Sequence, residues 1–269
     1  MNRKPVVAGQ FYPGRADQLS SMVGEFLSKA GEKAQERTIL AISPHAGYIF
    51  SGSVAGLTLG RANLARTVLL LGPNHTGMGS RLAVWDAGIW DLPGGGLRVD
   101  EGLARALLDS DARLVSDQAA HAREHSLEVV LPFLRAIDPD TSIVPLAIGE
   151  PRLDALLEVG EAVGKVLADW REPVSIVVSS DMSHYVSHED AKRRDAQALK
   201  PILDLDPAEA YRVVRENGIT MCGIMPLTVG LVAAKALGAS KAELVAYATS
   251  GEASGDYAQV VGYAGVLVS

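Results

Sequence analysis

The feature that most constrains this chain is a set of short aliphatic and β-branched runs, each bounded by Gly, Pro, Ser or Asn. They are TILAIS (38–43), TVLLLG (67–72), SIVPLAIG (142–149), VSIVVSS (174–180) and ELVAYATS (243–250). Strands buried on both faces read this way, because neither side of the pleat needs polar side chains. All five are therefore expected as central strands. Between them, helical periodicity covers roughly residues 16–29, 100–109, 122–137, 151–169, 188–203, 207–216 and 223–238, with Gly31 and Gly238 closing the first and last. Strands alternating with helices predict an α/β fold, a single three-layer α/β/α domain over residues 1–269 with a mostly parallel central sheet. The final run, YAQVVGYAGVLVS, reads as one more strand beside 243–250, and DLPGGGLRVD (91–100) reads as a surface loop.

Composition narrows the function classes. A net charge of −7 gives no basic footprint for nucleic acid and no polybasic anchor for a membrane surface. No stretch approaches the roughly 18 uninterrupted apolar residues that span a bilayer. The N-terminal MNRKPVVAGQFYPG lacks the apolar core of a secretory signal, and a lone cysteine forms no internal disulfide, so a cytoplasmic location is expected.

Three of the six histidines follow directly on expected strands: His45 in PHAGY, His75 in PNHTG and His184 in DMSHY. In open α/β sheets the carboxyl ends of parallel strands form the ligand crevice, so residues far apart in sequence converge there. Imidazoles beside the carboxylate of Asp181 form a set suited to a first-row metal or to acid–base chemistry. Asp181 alone also fits a turn cap. Cys222, in TMCGIMPL (220–227), precedes a helix whose first turn holds Pro226, and the positive end of a helix favours a thiolate. Its neighbours Met221, Ile224 and Met225 fit an inert buried thiol equally well.

Other patterns compete. HAREH places His121, Glu124 and His125 in an H-x-x-E-H arrangement, which on a helix would present both histidines on one face as a zinc hydrolase site, with Glu124 as general base. GPNHTGMG (72–79) is glycine-bearing but lacks the lysine of a phosphate-binding loop. Cys222 with His184 and Asp181 would make a cysteine hydrolase, although no local protease signature surrounds the cysteine.

Taken together and in order, VAGQFYPG (7–14), SPHAGYIFSG (43–52), LLLGPNHTG (69–77), EHSLEVVLPF (124–133), VVSSDMSHY (177–185), TMCGIMPL and SGDYAQVVGYAG (254–265) resemble the Memo family from end to end. That family is similar to the class III extradiol ring-cleaving dioxygenases, α/β enzymes with a mononuclear non-haem Fe(II) on two histidines and a carboxylate. The resemblance implies that His45 and His75 are the metal histidines and that Cys222 replaces the carboxylate. It further implies that Asp181 is an additional ligand, that His184 is the acid–base residue, and that His125 faces the substrate. A thiolate is softer than a carboxylate, so such a set suits iron, copper or zinc, and the resemblance makes Fe(II) the first expectation among them. The occupant of the pocket is expected to be a small-molecule substrate of an oxidoreductase. In the alternative reading, a peptide or protein partner binds a non-catalytic or metal-sequestering module.

Overall fold

In the computed structural model, which describes residues 2–269, four of the apolar runs form the parallel middle of one sheet. These strands are β1 (Leu40–Ser43), β2 (Thr67–Pro73), β7 (Ser142–Ile148) and β8 (Val174–Ser179), in the spatial order β1-β8-β2-β7. Every residue of β1, β2 and β8 is buried, which explains why the runs carry no polar alternation. Shorter strands extend the sheet beyond β7: β3 (Leu82–Val84), β6 (Val115–Ser116), and the pair β4 (Ile89–Leu92) and β5 (Gly95–Val99). On the other side, β11 (Val260–Val268) pairs antiparallel with β1 and with β10 (Ala242–Thr249), while the short β9 (His184–Val186) pairs with β11.

Helices cover both faces. On one, α8 (Ile224–Ala236) lies across β1, β2 and β8, and α5 (Leu153–Asp169) packs over it, flanked by α3 (Glu101–Ser110) and α7 (Pro207–Glu216). On the other, α2 (Tyr48–Arg61) lies on β1, β10 and β11, with α1 (Ala16–Ser28) and α4 (Leu131–Ile137) against it. α6 (His188–Leu203) sits by β10 and β11, and the single turn α9 (Gly251–Ser254) joins those two strands. Among the described residues no helix is long and apolar enough to cross a membrane.

Four details depart from expectation. The 243–250 run is not central: β10 is the edge strand, with most residues partly or fully exposed, and it is β11 that lies inside. DLPGGGLRVD is not a loop but most of the β4–β5 hairpin, turning at Pro93-Gly94 with Gly94 at φ 86°. The stretch 122–137 is not one helix; it runs as turns and a short 3₁₀ segment (Glu128–Val130) before α4 begins at Leu131. Helix α2, which follows the first strand-end histidine, carried no recognised helical pattern.

Candidate metal centre

Because β1, β2 and β8 are parallel neighbours, their carboxyl ends open on the same edge. His45, His75 and Asp181 each sit two residues beyond the last residue of their strand. The chain from 124 to 128, leading into α4, supplies a third imidazole, that of His125. One nitrogen from each of His45, His75 and His125 lies within 4.8 Å of the others. Donors sharing one ion at about 2.1 Å are roughly 3–3.5 Å apart, so closing this group on an ion needs side-chain shifts of about 1 Å. Three histidines can therefore hold a metal ion. His75 and His125 stack with ring centroids 4.9 Å apart, His45 meets both edge-on, and Phe11 packs against His125 at 4.9 Å with its ring tilted by 56°.

The outer nitrogens are engaged. His45 Nδ1 lies 2.7 Å from Ser179 Oγ and His75 Nδ1 lies 2.9 Å from Glu124 Oε1, which leaves Nε2 of both rings for the pocket. Burial, reinforced by the nearby His75 and His125 rings, holds His45 well below the usual imidazole pKa. Burial also lowers His125. Both rings are therefore held toward the neutral form that a metal requires. Glu124 is buried, which by itself would raise its carboxyl. The hydrogen bond and charge of His75, together with the Ser126 N–H, outweigh that and hold it at about 2.

Cys222 and Asp181 flank the group on the His45 side. Cys222 Sγ is 3.4 Å from His45 Nε2 and accepts the Asp181 N–H at 3.2 Å. The cysteine is brought there by Gly223, whose N–H donates to Ser180 Oγ at 3.0 Å; a Cβ on that glycine would lie 2.3 Å from the Ser180 Cβ. Burial, with the Asp181 carboxylate beside it, pushes the Cys222 thiol well up, against the Asp181 N–H that it accepts. Asp181 Oδ1 accepts the His45 backbone N–H at 2.8 Å, and Oδ2 is 4.0 Å from His45 Nε2. His184 stands outside the three-histidine group. Its Nδ1 faces Thr220 O at 3.0 Å, and its backbone N–H donates to Thr220 Oγ1 at 2.7 Å, so TMCGIMPL anchors both Cys222 and His184.

A family model described as Memo-like protein matches residues 3–267. The chain belongs to the Memo family. It is 39% identical to a MEMO1 family protein of Methanopyrus kandleri, an alignment covering 99% of both chains. It is also 39% identical to a MEMO1 family protein of Aquifex aeolicus, over 98% of each. Among solved structures it is similar to an uncharacterized protein of Escherichia coli, with a TM-score of 0.54 and 14% identity, covering 85% of this chain and 99% of that one; this likeness is one of fold.

In this Memo chain the competing motifs dissolve for physical reasons. H-x-x-E-H does not lie on a helix, so its histidines diverge: His121 is fully buried between Trp85 and Trp90, with Nε2 2.8 Å from Ala83 O, while His125 joins the centre. The zinc hydrolase site therefore lacks its first ligand. The 72–79 loop spends its amides internally, Gly77 N–H on Asn74 Oδ1, Met78 N–H on Thr76 Oγ1 and His75 N–H on Glu124 Oε2, and leaves no phosphate cradle there. The imidazole beside Cys222 is that of His45, which removes the expected Cys222–His184–Asp181 hydrolase arrangement. Ser126 and Ser179 lie within the quoted stretches EHSLEVVLPF and VVSSDMSHY but carry no role in the sequence reading; only the placement of Ser179 at the end of a strand pointed toward the pocket.

Proposed function

We propose that this Memo protein is a cytoplasmic, mononuclear non-haem iron protein with a dioxygenase-like site, an oxidoreductase acting on a small chelating substrate. The observation that carries the reading is the convergence of His45, His75 and His125 at the carboxyl edge of a parallel sheet, with their nitrogens within 4.8 Å. In this reading those three residues hold the ion and Cys222 is a fourth donor. Its 3.4 Å separation from His45 Nε2 matches the roughly 3.5 Å expected between a sulfur at about 2.3 Å and a nitrogen at about 2.0 Å from one tetrahedral centre. The mixed nitrogen and sulfur set suits iron, copper or zinc. Bound there, a redox-active ion supplies Lewis acidity and electron-transfer chemistry.

The residues of the chain do the remaining work. Asp181, tied to the His45 backbone, holds that ligand in place. His184 keeps its Nδ1 proton on the Thr220 carbonyl, so its Nε2 is free to take a proton from a substrate hydroxyl and return it. The partly exposed His75 and His125 leave the pocket open to solvent and to a small ligand. Metal content and electronic spectra of protein made in iron-rich medium test the assignment. One ion per chain is expected in the wild type, little or none in His45→Ala and His125→Ala, and an altered spectrum in Cys222→Ser. Equal metal content and spectra in all four would refute it.

A second reading, a peptide- or protein-binding module, is favoured by the rim. Ile49, Met78 and Tyr185 are exposed large apolar side chains lying one to four residues from His45, His75 and His184. Pull-down of a partner that survives His184→Ala but fails with Tyr185→Ser and Ile49→Ser, without oxygen consumption on any catechol, would establish it.

A further inference from the structure

The proton positions on two of these rings follow from their hydrogen-bond partners. Ser179 Oγ carries one proton and has two partners, Ser126 O at 2.7 Å and His45 Nδ1 at 2.7 Å. A carbonyl only accepts, so the hydroxyl proton goes to Ser126 O, and Ser179 Oγ must accept from His45 Nδ1–H. His75 Nδ1 faces a carboxylate that already accepts three backbone N–H groups: that of His75 on Oε2 at 2.6 Å, and those of His125 and Ser126 on Oε1 at 3.0 Å each. An all-donor surrounding keeps Glu124 an acceptor, so His75 Nδ1 also carries the proton. Ser126 links the halves, donating its N–H to Glu124 and offering its carbonyl to Ser179.

We propose that this hydrogen-bonded relay, His75–Glu124–Ser126–Ser179–His45, is a tautomer lock. Ser179 and Glu124 are positioning residues that keep both rings as Nδ1–H, so that two bare Nε2 lone pairs face the pocket before any ion arrives. An unconstrained histidine prefers the opposite tautomer, which would turn an N–H toward the incoming cation. Partners of this kind, one layer behind the ligands, typically change metal affinity by about 10–100-fold when removed. The inference rests on the metal-site reading above, and the two are separable by experiment.

Long-range ¹H–¹⁵N correlation on metal-free, histidine-labelled full-length protein reports each ring's tautomer, and Co(II) titration reports affinity. His45 and His75 are expected as Nδ1–H in the wild type; finding Nε2–H on either would overturn the lock without any variant. Ser179→Ala, which removes one hydroxyl from a buried site, is expected to release the His45 tautomer and weaken Co(II) binding about 10–100-fold. Glu124→Ala, which removes the acceptor facing His75 Nδ1, should do the same for His75. Unchanged tautomers and affinity in folded variants would overturn the proposal. A wild type that binds no Co(II) would sink the metal reading, and the metal-free spectra would then support or overturn the lock by themselves.

Discussion

Arg3 is buried at 3% exposure, and its replacement by methionine should be among the most damaging single changes in the chain. Its guanidinium lies over the Trp90 ring at 4.1 Å and donates to His121 O at 2.9 Å, Glu124 O at 2.5 Å and Glu128 Oε2 at 2.6 Å. Glu128 is fully buried and also accepts from Val6 N–H, Val7 N–H and the Tyr12 hydroxyl. Arg3→Met keeps the apolar length of the side chain but leaves the Glu128 charge without a countercharge and the Glu124 carbonyl without its donor, while His121 O retains only the Glu124 N–H. Breaking a buried pair from one side costs about 3–5 kcal/mol. The three donors that remain on Glu128 place this case near 3. In a chain of this size that corresponds to a drop in Tm on the order of 10 °C. The pair variant Arg3→Met/Glu128→Gln removes the stranded charge and should cost less than the sum of the two single changes by at least about 1 kcal/mol. Urea unfolding of the four proteins gives the cycle. A single-variant cost below about 1 kcal/mol, or strict additivity, would refute the argument that this contact is an obligate buried pair.

Three further outcomes are expected. Burial holds His121 at about 4 against an ordinary 6.5, so the unfolded chain binds a proton that the folded chain refuses; stability should be full above pH 6.5 and fall by up to about 3 kcal/mol as pH drops toward 4, and His121→Gln should flatten that slope in unfolding titrations. Gly223→Ala should force Cys222 away from His45 and destabilise by about 1–3 kcal/mol through overpacking; a crystal structure with Sγ in its original place would contradict this. Tyr185 is 76% exposed and holds φ 57°, so Tyr185→Gly should be neutral or stabilising by up to about 1 kcal/mol in thermal melts, and a marked loss would show that the ring packs on something.

Much of this was legible from residues alone, for identifiable reasons. Parallel strands buried on both faces leave unmistakable apolar runs, and the residues just past them, His45, His75 and Asp181, fall where the topology must bring them together. Helix α2 was hidden because its glycines dilute the helical signal, and they are there for packing: a Cβ at Gly52 or Gly56 would lie 2.5 Å from the Phe26 side chain of α1. Short strands such as β4 and β5 resemble loops because a Pro-Gly turn and three consecutive glycines dominate them. The divergence of His121 from His125 depends on a segment that turns where periodicity suggested a helix. The place of Glu124 behind His75, and of Ser179 behind His45, is a property of tertiary contacts across 49 and 134 residues, which no local pattern encodes.

The separation of the pocket residues along the chain has a kinetic meaning. His45 and Cys222 are 177 residues apart, and His75 takes its place only when β2 has inserted between β7 and β8. Loop closures on that scale come late in folding. Any ion bound here is thus a guest of a finished sheet rather than its template, in contrast to small zinc domains that are unfolded without metal. A chelator should empty the pocket and leave the far-ultraviolet dichroism of the chain intact, and refolding should proceed at the same rate whether or not metal is in the buffer.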